Sequence, residues 1–262
     1  MIDGTAPHER DAKIPGAKEE LINLGDGWDN RILTAEANEI LELMSEKENA
    51  YKTAYHYLHS AGVHEEFIKQ LLVRSFDENK AKSRAEAFLG RISEENDRRS
   101  SLRLISSFGK GGEYRLDTLD RLDTEKISLG GGRLCAMIFI NQVNRFLDLK
   151  SPSKALFPSA LDPTLTEAIY IVNQDLVLKC DANGDIDSDS LFNLSATDTD
   201  RIKRAQSYHD ELLDEARRWF NIASDFHFRL EKIYGEAMDF TVNDMIFSQK
   251  SAEIDEILET SG

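Results

Sequence analysis

The most regular apolar pattern in the chain lies in residues 202–237, IKRAQSYHDELLDEARRWFNIASDFHFRLEKIYGEA. Apolar or small side chains recur in it at alternating steps of three and four residues, which is the period of one helix face. Thr197-Asp198-Thr199-Asp200 precedes this stretch and supplies N-cap chemistry with acidic residues in the first turn. We therefore predict a long helix over about 200–238, roughly 55–60 Å in length.

One face of this helix indicates packing against another helix. Alanines alternate on it with larger side chains, so a second helix can approach closely, which favours antiparallel packing or a bundle over a parallel zipper. We expect a coiled-coil-like contact with a protein partner or with a second copy of the chain. The larger residues of this heptad face are Ile202, Leu212, Trp219, Phe226, Leu230 and Ile233.

The rest of the chain predicts a mainly α protein, a multi-helix bundle with one small antiparallel β-hairpin insert at about 167–192. Apolar residues between 17 and 150 follow helical spacing with short connections, which predicts a helical domain. Residues 1–16 lack a period and are interpreted as a flexible N-terminal arm. Residues 151–262 then hold this insert, of two or three antiparallel strands, and the long C-terminal helical region. Asn173-Gln174-Asp175 separates two β-forming runs of the insert, and Asn183-Gly184 follows as the strongest hairpin signal. We expect this part to pack on the helical domain as one unit.

The charge of the chain limits its function classes. Among 262 residues there are 32 Lys and Arg against 48 Asp and Glu, a net charge of −16, which argues against binding nucleic acid through bulk charge. The acid is segregated, however, because residues 51–155 carry 18 basic and 14 acidic side chains. Nucleic-acid binding through this basic middle segment stays open, and any association is expected to weaken with salt.

Targeting signals are not recognised in this sequence. The N-terminal residues lack the apolar region of a signal peptide, and the longest apolar run is far shorter than a membrane span needs. The two cysteines, Cys135 and Cys180, lie in apolar runs and are predicted to be buried. We expect a cytoplasmic protein without a membrane partner.

Arg204 and His209 stand in an R-x4-H arrangement near the start of the long helix. This arrangement resembles the catalytic motif of HEPN-family ribonucleases, which are all-helical dimers. The resemblance implies a metal-independent ribonuclease in which His209 is the general acid or base and Arg204 stabilises the phosphate charge. The alternative is that His209, which falls on the heptad face, is a packed polar residue.

The acidic turn Asp181–Asp189 contains oxygen ligands at alternating positions, Asp181, Asn183 and Asp185. The pattern resembles the first part of an EF-hand or dockerin loop and implies a calcium-responsive binding module. Ile186 stands where such a loop has its glycine. The alternative interpretation is a solvated turn with acidic flanks.

Gly130-Gly131-Gly132 directly precedes an apolar helix that begins at Arg133. Exposed N–H groups at such a helix start can hold an anion, and the alternative is a simple helix-breaking loop. Beyond these motifs the sequence has no recognised catalytic arrangement. The leading interpretation is a non-enzymatic helical interaction or scaffold subunit of a homo- or hetero-oligomeric complex, with the ribonuclease and the calcium module as alternatives.

Overall fold

The computed structural model describes residues 13–90, 92, 99–150, 152–184 and 186–260. Most of the predicted flexible arm, residues 1–12, lies outside this range. The chain divides into two compact units. Residues 1–47 with 225–262 form the terminal unit, and residues 48–224 form the central unit.

The described strands all belong to the central unit. They are β1 (Ser100–Leu102), β2 (Ser106–Gly109), β3 (Gly112–Arg115), β4 (Glu125–Gly130), β5 (Lys154–Pro158), β6 (Thr166–Ile171), β7 (Leu176–Cys180) and β8 (Ile186–Asp187). Six of them form one mixed sheet in the order β1-β5-β6-β7-β4-β8. β5, β6 and β7 pair antiparallel, whereas β1 with β5, β7 with β4, and β4 with β8 pair parallel. β2 and β3 form a separate antiparallel hairpin.

The helices are α1 (Asn30–Ala35), α2 (Ala37–Ser75), α3 (Glu78–Leu89), α4 (Arg133–Lys150), α5 (Ala196–Glu236) and α6 (Phe240–Thr260). α2 and α5 contribute residues to both units. None of the helices, over the residues described, is long and apolar enough to cross a membrane.

Both faces of the sheet are buried at its central strands β6 and β7. On one face α4 packs against β6 and β7, with Phe139 and Ile140 beside Ile169. On the other face Ala168 and Val177 join a second apolar cluster. Neighbouring residues of β6 therefore point to opposite faces, as the two-residue period of a strand requires, and both find apolar partners.

In the central unit α2 and α5 pack antiparallel. The ring centroids of Tyr55 and Phe220 are 5.6 Å apart, and further along α2 the Glu65 side chain meets His209. Residues later in α2 contact residues earlier in α5, so the two helices run in opposite directions.

The terminal unit has its own small core. Ile40 and Leu43 of α2 are buried against Leu230 of α5. α6 packs on a 3₁₀ turn at Leu24–Gly27. The amide of Asp239 donates to the Gly27 carbonyl at 2.8 Å, which joins the start of α6 to this turn.

The predicted fold class, a helix bundle with one hairpin insert, is wrong. The structure has a six-stranded mixed sheet and a two-stranded sheet, an α/β arrangement. Residues 100–130, assigned above to the helical domain, form β1 to β4. Their apolar residues at helical intervals, Ile105 and Phe108, belong instead to a loop and to a strand of the β2–β3 hairpin.

The predicted hairpin insert at 167–192 is also wrong in its pairing. β6 and β7 form an antiparallel pair, and the turn between them is Val172–Gln174, where the sequence has Asn173-Gln174-Asp175 between two β-forming runs. β8, which follows Asn183-Gly184, pairs parallel with β4 and not with β7. The long C-terminal helix is present, as α5 over Ala196–Glu236.

Candidate functional site

α6 of the terminal unit presents a row of large apolar side chains to solvent. Phe240, Phe247, Ile254 and Leu258 are 59%, 73%, 54% and 66% exposed. Their spacing of seven, seven and four residues places them within about 40° of one another around the helix. We call these four residues the α6 stripe. The side of α6 that is half-buried is a different one, and it includes Ile246 and Lys250.

One flank of the α6 stripe is acidic. Asp244, Asp255 and Glu259 lie on the same side of the stripe, within about 100° of it, and no ion pair joins them to another residue in the described part of the chain. Lys250 is the single basic residue of α6, and its Nζ lies 2.7 Å from Glu20 Oε1 and 2.7 Å from Glu253 Oε2. These carboxylates raise the pKa of Lys250. The surface of α6 therefore combines an apolar stripe with uncompensated negative charge.

The α6 stripe was not predicted from the sequence, and the predicted interaction face lies on α5 instead. In the structure the predicted face already contacts other parts of the same chain. Phe226, Leu230 and Ile233 pack with α2 in the terminal unit, and Ile202 packs on the central apolar core. Binding of another chain by this face, including the half-buried Leu212 and Trp219, remains a prediction. The seven-residue spacing from Phe240 to Ile254 is the signal that identifies the stripe in the sequence.

His209 is buried between the two long helices of the central unit. Its Nε2 lies 3.3 Å from Glu65 Oε2, and its Nδ1 lies 3.0 Å from Asp210 Oδ1. Burial lowers the pKa of His209, but the contacts with Glu65 and Asp210 outweigh this effect and raise it overall. Neither Glu65 Oε1 nor His209 Nε2 has a hydrogen-bond partner among the described residues, so the Nε2–Oε2 approach is a contact between charges. The imidazole therefore links α5 to α2 as a buried ion pair when it is protonated.

The structure does not bring Arg204 and His209 together. Arg204 is exposed, whereas His209 is buried. Five residues of helix rotate a side chain by about 500°, so the two residues point about 140° apart. The ribonuclease assignment, which needs both at one phosphodiester, stays a prediction without support from this placement.

The acidic turn after β7 is held by local contacts. Asp181 Oδ1 accepts a hydrogen bond from the Asn183 amide at 3.1 Å, and its Oδ2 lies 3.0 Å from Lys179 Nζ. This hydrogen bond and the Lys179 charge lower the pKa of Asp181. Asp185, the third proposed calcium ligand, lies outside the described residues. Over the described range no group of three or more His, Cys, Asp or Glu is arranged to hold a metal ion, and calcium binding stays a prediction.

The glycine-rich start of α4 is already occupied by a carboxylate of the chain. The Gly132 amide donates to Asp189 Oδ1 at 2.8 Å. Gly131 has a φ of +87°, and a Cβ there would lie 2.9 Å from Asp189 Oδ1, so only glycine fits. Asp189 therefore fills the position in which the sequence suggested an external anion.

A second buried carboxylate joins α4 to the strands. Glu167 is fully buried, and its Oε1 accepts hydrogen bonds from Arg133 at 2.5 Å and from Ser106 at 2.9 Å. Arg115 Nη2 lies 3.4 Å from Glu167 Oε2, and Arg133 also donates to Glu113 at 2.6 Å. Two guanidinium groups thus balance two carboxylates in this cluster, which fixes the first residue of α4 against β2, β3 and β6.

An open apolar groove of about 680 Å³ lies beside α2 in the central unit. Tyr55, Leu58, Val63 and Phe67 of α2 line it, together with Leu161 from the loop after β5. Its polar lining groups are few, and they come from the rim of the same helix.

No protein-family model, curated protein or solved structure matches this chain.

Proposed function

We propose that this protein is a non-enzymatic interaction subunit, and that its terminal unit binds another polypeptide chain through the α6 stripe. The observation that carries this proposal is the exposure of Phe240, Phe247, Ile254 and Leu258 on one side of a single helix. Contiguous exposed apolar surface with a polar border is typical of a protein interaction site.

Burial of the α6 stripe by a partner is favourable in free energy. Burying a side chain of this size is worth about 1.5–3 kcal/mol relative to leaving it in water. Four such residues in one row therefore offer a partner a substantial gain in free energy, although ordering and rigid-body entropy offset part of it. The heptad-like spacing suits packing against a second helix.

The buried ionisable groups support a structural role for the central unit. Glu167 is paired with Arg133, and His209 is paired with Glu65. Each pair joins one element of the central unit to another, so both pairs have a structural role within that unit.

The proposal is tested with a stripe variant, Phe247→Ser/Ile254→Ser. Both residues are exposed, so the fold should tolerate the change. A matched control is Val73→Ser/Leu149→Ser, which removes two exposed apolar side chains of the central unit. Sedimentation velocity of the full chain over a range of concentrations measures self-association, and quantitative co-purification from cell extract measures other partners.

We expect either self-association or a co-purifying protein with the wild type and with the control, and its loss with the stripe variant. Equal association by wild type and stripe variant would remove the stripe as the binding surface. A wild-type chain that stays monomeric and retains no protein beyond the stripe variant would remove the proposal itself.

A further inference from the structure

The acidic excess of the chain is concentrated in the unit that carries the α6 stripe. Residues 1–47 and 225–262 contain 20 acidic and 8 basic side chains, whereas residues 48–224 contain 28 acidic and 24 basic side chains. The terminal unit thus has most of the net charge in about a third of the chain. This field extends about 8 Å into solvent at physiological ionic strength.

Three basic side chains of the terminal unit are paired with carboxylates of the same unit. Arg31 lies 2.8 Å from Asp29, Arg229 lies 3.4 Å from Glu39, and Lys250 is held by Glu20 and Glu253. In the described part of the chain no ion pair joins a basic side chain to the acidic flank of α6. A molecule that covers the stripe therefore meets apolar surface bordered by negative charge.

This charge distribution discriminates between possible occupants. In a symmetric antiparallel pair of α6 helices the acidic flank of one copy would oppose the acidic flank of the other. An anionic membrane surface would be repelled in the same way. A helix with basic flanks gains from both the apolar contact and the charge.

We propose that the α6 stripe binds an amphipathic helix of a second protein, whose apolar face is bordered by Lys and Arg. This inference rests on the proposed function and adds the chemistry of the partner. Phe240 and Leu258 are 18 residues apart, which corresponds to about 27 Å along the helix. A partner helix of about 18–20 residues covers this length.

The test uses defined peptide probes with the full chain. The basic probe is a helical peptide of about 21 residues with Leu at heptad positions a and d and Lys at e and g. The acidic probe replaces each Lys with Glu, and a third peptide scrambles the basic sequence. Fluorescence anisotropy gives the Kd of each peptide at about 50 mM and about 500 mM NaCl.

We expect the basic probe to bind at least about tenfold more tightly than the acidic and scrambled probes, with weaker binding at high salt. Phe247→Ser/Ile254→Ser should weaken binding at least about tenfold, and Asp244→Asn/Asp255→Asn at least about threefold, relative to the Val73→Ser/Leu149→Ser control. Unchanged circular dichroism and Tm establish that each variant is folded.

The contrary outcomes separate this inference from the proposed function. If the basic and acidic probes bind equally and the stripe variant loses both, the basic partner is excluded while apolar docking stands. Self-association that the stripe variant loses, without peptide binding, identifies a second copy as the occupant and overturns the inference. Stripe-dependent binding to anionic lipid vesicles, or equal binding of the basic probe by the stripe variant, overturns it as well. Absence of any peptide binding overturns the inference alone, because the proposed function is judged by self-association and co-purification.

Discussion

His209 Nε2 on α5 lies 3.3 Å from Glu65 Oε2 on α2, and both side chains are almost fully buried. The two residues are 144 positions apart in the sequence, yet they meet because α2 and α5 run antiparallel in the central unit. A buried ion pair of this kind stabilises the fold only while both partners are charged.

This relationship predicts a pH-dependent contribution to stability. The contacts with Glu65 and Asp210 raise the pKa of His209 in the folded chain above its ordinary value of 6.5. Because the folded protein binds this proton more tightly than the unfolded chain, the stabilisation is complete below about pH 6.5 and is lost as the pH rises through the raised pKa. We expect His209 to stabilise the fold at acidic pH and this contribution to decline towards alkaline pH.

Urea unfolding of wild type and His209→Gln from pH 5.5 to pH 9 measures this contribution. Urea is preferable to guanidinium because it does not screen charge. The stability difference between the two proteins should be largest at the acidic end and should shrink towards alkaline pH. A difference that is constant with pH would show that the imidazole acts only by packing.

The ion pair between Arg133 and Glu167 predicts a second effect on stability. Replacing Arg133 with Met leaves the fully buried Glu167 carboxylate without its 2.5 Å partner. Removing one member of a buried ion pair typically costs about 3–5 kcal/mol. We expect about 3 kcal/mol for Arg133→Met, at the low end because Arg115 still lies 3.4 Å from the carboxylate.

Arg121→Met is the matched control. Arg121 lies 2.8 Å from Asp117, but both side chains are largely exposed, so the loss should stay within about 0.5 kcal/mol. The double variant Arg133→Met/Glu167→Gln should recover part of the lost stability, since no uncompensated buried charge remains. Similar losses for Arg133→Met and Arg121→Met would refute the buried-charge interpretation.

The long helix could be predicted from the sequence because its period is local. The heptad spacing of residues 202–237 depends on no other part of the chain, and α5 spans Ala196–Glu236. The buried position of His209 also follows from that spacing. Its partner Glu65 does not, because nothing in the sequence gives the register between α2 and α5.

The mixed sheet could not be predicted because its parallel pairs leave no local signal. β4 pairs with β7 and β8, which follow it by about 50 residues, and no hairpin turn joins them. The described strands are two to six residues long, so their apolar spacing also fits a helix turn. The Asn183-Gly184 sequence favours a hairpin, but the strand that follows it, β8, pairs with β4 and not with β7.

Gly184 therefore gives a direct test of the sheet. A Cβ at this position would lie 2.5 Å from Gly130 N and 2.6 Å from Leu129 C, both of them backbone atoms that cannot rotate away. We expect Gly184→Ala to lower the free energy of unfolding by about 1–3 kcal/mol, the usual cost of overpacking.

Gly62→Ala is the matched control, and it should change the free energy of unfolding in the opposite direction. Gly62 lies within α2, and a Cβ there meets no atom within 4 Å. Alanine in a helix interior should raise stability by about 0.5–1 kcal/mol. If Gly184→Ala were neutral or stabilising, as a free turn would allow, the close approach of this turn to β4 would be contradicted.

The two cysteines provide a probe of the sheet core. Both thiols are buried, as predicted, and burial raises the pKa of Cys180 to about 12 and that of Cys135 further still. Because the thiolate is the reactive form, both should react with a disulfide reagent at pH 8 more than about a hundredfold slower in the folded chain than in urea. Ser83→Cys, on the exposed side of α3, should add one thiol that reacts at once. Rapid labelling of Cys135 or Cys180 in the folded protein would show that the β4–β7 core opens to solvent.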